Sequence, residues 1–299
     1  MNRSAAVYAL LPLLLLVGLV LCASLLGYGL LQLTGDLFPL DKTISKITQL
    51  LLVLSIFPLK KYLHLSWRDL GFAPRPQFFK QLGLGLLLAV VTLLPVLLAL
   101  YALHVHVFDD TRTWTTAKFA EKIGLGLLLA LLIALFEEIV FRGLLLTSLR
   151  QKMTAFAAIT LTSLYYAALH FLKNKTPVAY ADLTLSSGFK LAAEAFGNWL
   201  NPEILSALLA LFVVGVFLAL LRSRIPHSLG LCIGCHCGWV WQIKVSKDLF
   251  NVNPQADYLY LVSNYDGVVG PLVTVWLGLA AVLLFRYSQK PRFAKKFLD

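Results

Sequence analysis

Charge is scarce in this chain and leans one way. Asp and Glu number 15 in 299 residues against 26 Lys and Arg, and the four types together make up 14%. Hydrophobic residues reach 59% and mean hydropathy is +0.78, a balance that excludes a soluble domain and requires a polytopic membrane protein. Strand-like alternation is missing from the long apolar runs. Because a backbone in lipid must satisfy its own hydrogen bonds, the implied fold class is all-α, a polytopic transmembrane helical bundle. Cysteine supplies no disulfide framework, since Cys22, Cys232, Cys235 and Cys237 lie inside apolar segments where thiols pack as small residues. Internal repeats, low-complexity linkers, a phosphate-cradling glycine motif after a strand and a Ser-His-Asp order are also lacking. A single membrane-embedded domain over residues 1–299 is the expectation.

The apolar runs divide into about eight spans, at 5–33, 47–59, 81–104, 123–146, 154–172, 204–221, 225–243 and 268–287. Between the second and third lies the basic loop 60–80, where Pro74 and Pro76 are expected to break any helix. A mixed apolar and charged stretch, 185–199, suits a helix lying at the membrane interface. With the N-terminus inside, the cytoplasmic segments hold fifteen Lys and Arg against two acids, a balance of +13, and the opposite side holds ten against eleven, or −1. Cytoplasmic loops carry such an excess. Both termini are therefore expected in the cytoplasm of a multi-pass integral protein, with the plasma (inner) membrane of a prokaryote as its location. The basic balance reflects orientation beside anionic lipid, so the bilayer is the expected partner and nucleic acid is not.

The fourth run carries Glu137, Glu138 and Arg142 in its middle. Ionised side chains at such depth cost at least ~2.5 kcal/mol each on insertion scales, so they persist when paired, facing a polar cavity, or functional. Glu138 and Arg142, at i and i+4, read as a structural pair. Glu137, turned by about 100°, has no helical neighbour of opposite charge. Elsewhere in the apolar runs His170 and His236 invite a role. At a rise of ~1.5 Å per residue Glu137 lies about 20 Å in from Arg150 and His236 about 18 Å in from Arg224, one shared level. His170, counted from Lys152, comes out at roughly 27 Å and needs a later helix start or a tilt.

These residues resemble the CPBP family, membrane proteases that include the type II CAAX prenyl endopeptidases and bacteriocin-processing or immunity proteins. Glu137-Glu138-Ile139-Val140-Phe141-Arg142 matches its Glu-Glu-x-x-x-Arg, Tyr166-Ala167-Ala168-Leu169-His170 matches its Phe-x-x-x-His, and His236 begins its His-x-x-x-Asn. Leu70-Gly71-Phe72 before the third span is similar too, so the resemblance covers about residues 70–241. The last motif departs, with Val240 where the family has Asn. The resemblance implies an intramembrane glutamate-dependent endopeptidase acting on a membrane-associated peptide or protein, either prenylated or a small peptide. It implies Glu137 as the catalytic glutamate, His170 as its partner in water activation and His236 as oxyanion donor, with Glu138, Arg142 and Tyr166 in support. Val240 leaves that oxyanion site one donor short. A non-catalytic protein of the same fold, acting in toxin immunity or as a scaffold, is the competing reading. The resemblance implies no metal and no cofactor. The residues alone leave a Glu-His-His zinc site open, and Cys232, Cys235 and His236 have a spacing that can gather a soft metal.

Overall fold

The computed structural model describes residues 3–174 and 176–289. Helix α1 is Arg3–Thr34, α2 Leu40–Tyr62 and α3 Arg75–Ala102. Helix α4, Thr116–Glu138, passes through a π-helical turn, Ile139–Leu145, into the short α5, Leu146–Arg150. There follow α6 Ala155–Leu169, α7 Ser187–Gly197, α8 Leu205–Arg224, α9 Leu229–Leu249 and α10 Pro271–Tyr287. The architecture is the all-α membrane-type bundle that composition demands. Two short strands, β1 His106–Phe108 and β2 Phe250–Val252, pair antiparallel and tie the loop after α3 to the end of α9.

Helices stand at all eight places expected of spans, but the count of eight spans is not confirmed. Among the described residues five segments are long and apolar enough to cross a membrane: Val7–Thr34, Leu40–Tyr62, Arg75–Ala102, Thr116–Arg150 and Pro202–Arg224. Helices α6 and α10 are apolar but shorter, and α9 ends in Lys244, Lys247 and Asp248. The second helix is longer than 47–59 because Pro39 can start a helix ahead of Leu40. The 60–80 loop is shorter than expected for the same reason. Pro74 caps α3 and Pro76 sits in its first turn, where the missing N–H costs no intrahelical bond, so these prolines open a helix instead of breaking one. Lys290, Arg292, Lys295, Lys296 and Asp299, part of the cytoplasmic charge balance, lie outside the described residues.

Ends of helices follow local chemistry. Thr115 and Thr154 accept hydrogen bonds from Lys118 N and Ala157 N at 3.2 and 3.3 Å, capping α4 and α6. After α2 and α3 the chain turns through His64 and His104 with φ of 52° and 54°. Leu65 N and Val105 N then reach back to Lys60 O and Leu100 O, at 3.0 Å each, satisfying carbonyls the helices leave free.

Packing puts α9 at the centre. Helices α3 and α4 both run along it, α6 lies along α8, and α8 along α10, while α1 pairs with α2 and α7. Large apolar side chains such as Leu14, Leu94, Leu128 and Leu279 remain exposed on the outer helices, as a lipid-facing surface requires. The α3–α9 contact depends on small residues. A Cβ on Gly85 would collide with Leu231 O, and one on Gly234 with Leu82 O, so the two backbones touch. That contact holds the middle of α9, including His236, deep in the bundle.

Candidate active site

Glu137 and Glu138 are the last two residues of α4, immediately before the π turn. Such turns widen the helix and are frequent at functional positions. Glu138, Arg142 and His236 are nearly or wholly removed from solvent. Arg142 Nη1 donates to Glu138 Oε1 at 2.8 Å, Nη2 points at Gly215 O at 3.4 Å, and the guanidinium lies 4.4 Å from the Tyr166 ring centre. A buried cation with a carboxylate, a carbonyl and an aromatic face around it is compensated on three sides.

The same Glu138 oxygen lies 2.8 Å from His236 Nδ1. His170 Nδ1 lies 2.7 Å from Tyr166 O, one turn back on α6. A carbonyl oxygen and an ionised carboxylate only accept, so each imidazole donates from Nδ1. Each therefore presents Nε2 to the interior of the site. Both Nε2 atoms stand 3.9 Å from Glu137 Oε2, an oxygen with no hydrogen-bond partner of its own. One water making hydrogen bonds of about 2.8 Å bridges such a gap. Ligands on one tetrahedral zinc ion stand only about 3.3 Å apart at bond lengths near 2.0–2.1 Å. Among the described residues no three His, Cys, Asp or Glu side chains are grouped to hold a metal ion. The cysteines are free, and Cys232 Sγ faces Leu218 O at 3.5 Å.

The site lies where two cavities approach each other. One, of about 290 Å³, is walled by α3, α6, α8, α9 and α10 and includes His236, Val240 and Trp276. The other, of about 540 Å³, lies among α1, α2, α4, α6 and α7 and includes Glu137, Gln49 and Phe196. His170, Lys173 and Tyr265 line both. Glu137 thus faces one cavity and His236 the other.

All six residues singled out in the sequence are brought together here. His170 reaches the level of Glu137 because α6 is only fifteen residues long and His170 caps its C-terminus. Tyr166 is buried with its ring 4.6 Å from that of His170 and 6.0 Å from that of His236. Gln242 is turned away and donates to Gly238 O on its own helix at 3.0 Å. Sequence reasoning missed the bond between Glu138 and His236, the π turn, and Tyr265. Glu138 and His236 are 98 positions apart, and Tyr265 sits in a loop without periodicity, so spacing carried no signal for either.

Residues 119–242 match the family model described as type II CAAX prenyl endopeptidase Rce1-like. The matched segment contains all six residues, and the match supports the CPBP resemblance. Comparison with curated proteins and with solved structures gives no match.

Proposed function

We propose, from this Rce1-like CPBP-family match to an integral membrane protein, that the chain is an intramembrane endopeptidase in which Glu137 activates a water held between His170 and His236. At family level the match implies CAAX-type intramembrane protease activity. The observation that carries the finer reading is the position of Glu137 Oε2, 3.9 Å from two inward-facing Nε2 atoms. In this mechanism Glu137 takes a proton from the water as its oxygen bonds to the peptide carbonyl carbon. The carbonyl oxygen becomes an oxyanion, and collapse of the intermediate breaks the C–N bond while the proton passes to the departing amine. His170, fixed through Nδ1, keeps its acceptor on the water. His236 donates to the oxyanion when its ring carries the second proton, and Glu138 at 2.8 Å supplies the counter-charge. Arg142 holds Glu138 in place through its 2.8 Å bond, and Tyr166 closes the apolar side of the pair.

The substrate in this reading is a membrane-associated peptide or protein, reaching the site through the larger cavity from the bilayer of a prokaryotic plasma membrane. No metal or other cofactor takes part. The test is cleavage of an internally quenched farnesylated peptide ending in Cys-aliphatic-aliphatic-X by the purified protein, with and without a strong zinc chelator. Cleavage at an unchanged rate in chelator is the expected outcome, and loss of cleavage that added zinc restores would replace the glutamate mechanism with a metal one. Val240 favours a second reading, a non-catalytic protein of the same fold in toxin immunity or scaffolding. In that case Glu137→Gln keeps the cellular phenotype of the wild type.

A further inference from the structure

We infer that the Tyr265 hydroxyl supplies the oxyanion hydrogen bond that Val240 cannot, so that the tetrahedral intermediate is held between His236 and Tyr265. This rests on the hydrolase reading above and adds a catalytic residue to it.

Val240 lies one turn beyond His236 on α9 and lines the smaller cavity with it. Its side chain has no donor, and Gln242 is committed to Gly238 O. Tyr265 faces the same cavity from the loop between β2 and α10 and also lines the larger one beside Glu137. It therefore borders both the cavity that Glu137 faces and the one that His236 faces. Its hydroxyl makes no hydrogen bond among the described residues, whereas its ring is fixed on several sides. Phe171 packs against it at 5.3 Å between ring centres, His170 at 6.4 Å, and Lys173 Nζ lies 4.5 Å over its face.

The loop itself is built to hold a position. Tyr265 N donates to Ser263 Oγ at 3.3 Å, and Asp266 Oδ1 accepts from Val268 N and Val269 N at 3.0 and 2.7 Å. His106 Nε2 donates to Gly267 O at 2.8 Å, anchoring the turn to β1. A donor fixed before reaction needs no reorganisation as charge develops, which is what makes oxyanion contacts effective. Burial, and then the charges of Asp266 and Glu137, push the phenol upward, so it keeps its proton at neutral pH. Lys244 lines the same cavity but sits two turns past His236, about 12 Å along the axis, and does not border the cavity that holds Glu137.

The test is kcat and KM for the quenched farnesylated peptide with wild type, Tyr265→Phe, Tyr265→Phe with Val240→Asn, and Lys244→Met. Phenylalanine keeps the ring contacts, so the unfolding midpoint of Tyr265→Phe should equal that of the wild type. Loss of one oxyanion donor lowers kcat by about 10²–10³-fold. The expected result is such a fall for Tyr265→Phe with KM retained, recovery of most of it on adding Val240→Asn, and wild-type kcat for Lys244→Met. Cleavage by the wild type that Tyr265→Phe leaves intact, or a fall that Val240→Asn does not rescue, overturns the role of Tyr265 while the hydrolase reading stands. A fall confined to Lys244→Met assigns the donor to that lysine instead. No cleavage by the wild type overturns both.

Discussion

Glu138 holds two partners on one oxygen, Arg142 Nη1 and His236 Nδ1, each at 2.8 Å. Its neighbour Glu137 holds neither. Adjacent carboxylates on one helix thereby divide their work, one fixing the frame and the other facing the cavity. Removing one member of a buried charge pair leaves the other uncompensated, at a cost of about 3–5 kcal/mol. Arg142→Gln should therefore reduce folded yield sharply, and adding Glu138→Gln should restore part of it, read as monodisperse protein after extraction. Single variants that accumulate like the wild type would show that the pair carries no such energy. The i, i+4 pairing of Glu138 and Arg142 was legible in the sequence because both residues lie on one helix. The link from Glu138 to His236 was not, since it depends on how α4 docks against α9 and on a π turn that no residue pattern announces.

At the scale of elements, the site's position is decided by how closely α3 and α9 approach. Gly234 on α9 faces backbone on α3, where a Cβ has no room, whereas a Cβ on Gly83 of α3 meets nothing within 4 Å. Gly234→Ala should destabilise by about 1–3 kcal/mol through overpacking. Gly83→Ala should be neutral or stabilising by up to about 1 kcal/mol, from helix propensity. Thermal unfolding of the two variants in one detergent separates them, and equal midpoints would contradict the close contact. The apolar runs revealed that helices stand here, yet their ends were misplaced where a proline opens a helix. Pro74 and Pro76 read as breakers in the sequence and stand at the start of α3 in the structure. The depth argument served Glu137 and His236 because both sit inside long helices. It overshot for His170 because α6 starts only at Ala155, the later helix start that the count from Lys152 required.

For the whole molecule, the site opens toward the end that carries the loop after α3, the segment after α6 and the loop before α10, as Lys173 and Tyr265 on its wall show. The basic clusters at 60–80, Arg150 with Lys152, and Arg222 with Arg224 belong to the other end of the helices. On the positive-inside argument that other end is cytoplasmic, and substrate then reaches Glu137 from the bilayer or from the extracytoplasmic side. Reporter fusions after Arg150 and after Gln289 should both report cytoplasm, with one after Asn253 reporting the opposite side. An extracytoplasmic signal from either of the first two would reverse the orientation and place the mouth of the site in the cytoplasm.

Everything proposed for the chemistry depends on Glu137 acting as the base toward water. The most direct measurement is the single-turnover cleavage rate of Glu137→Gln beside the wild type, on protein of equal yield and equal unfolding midpoint. Glutamine keeps the shape and removes the base, so cleavage should vanish while folding stays intact, because Glu137 has no buried partner to strand. A Glu137→Gln protein that still cleaves at the wild-type rate would contradict the mechanism outright.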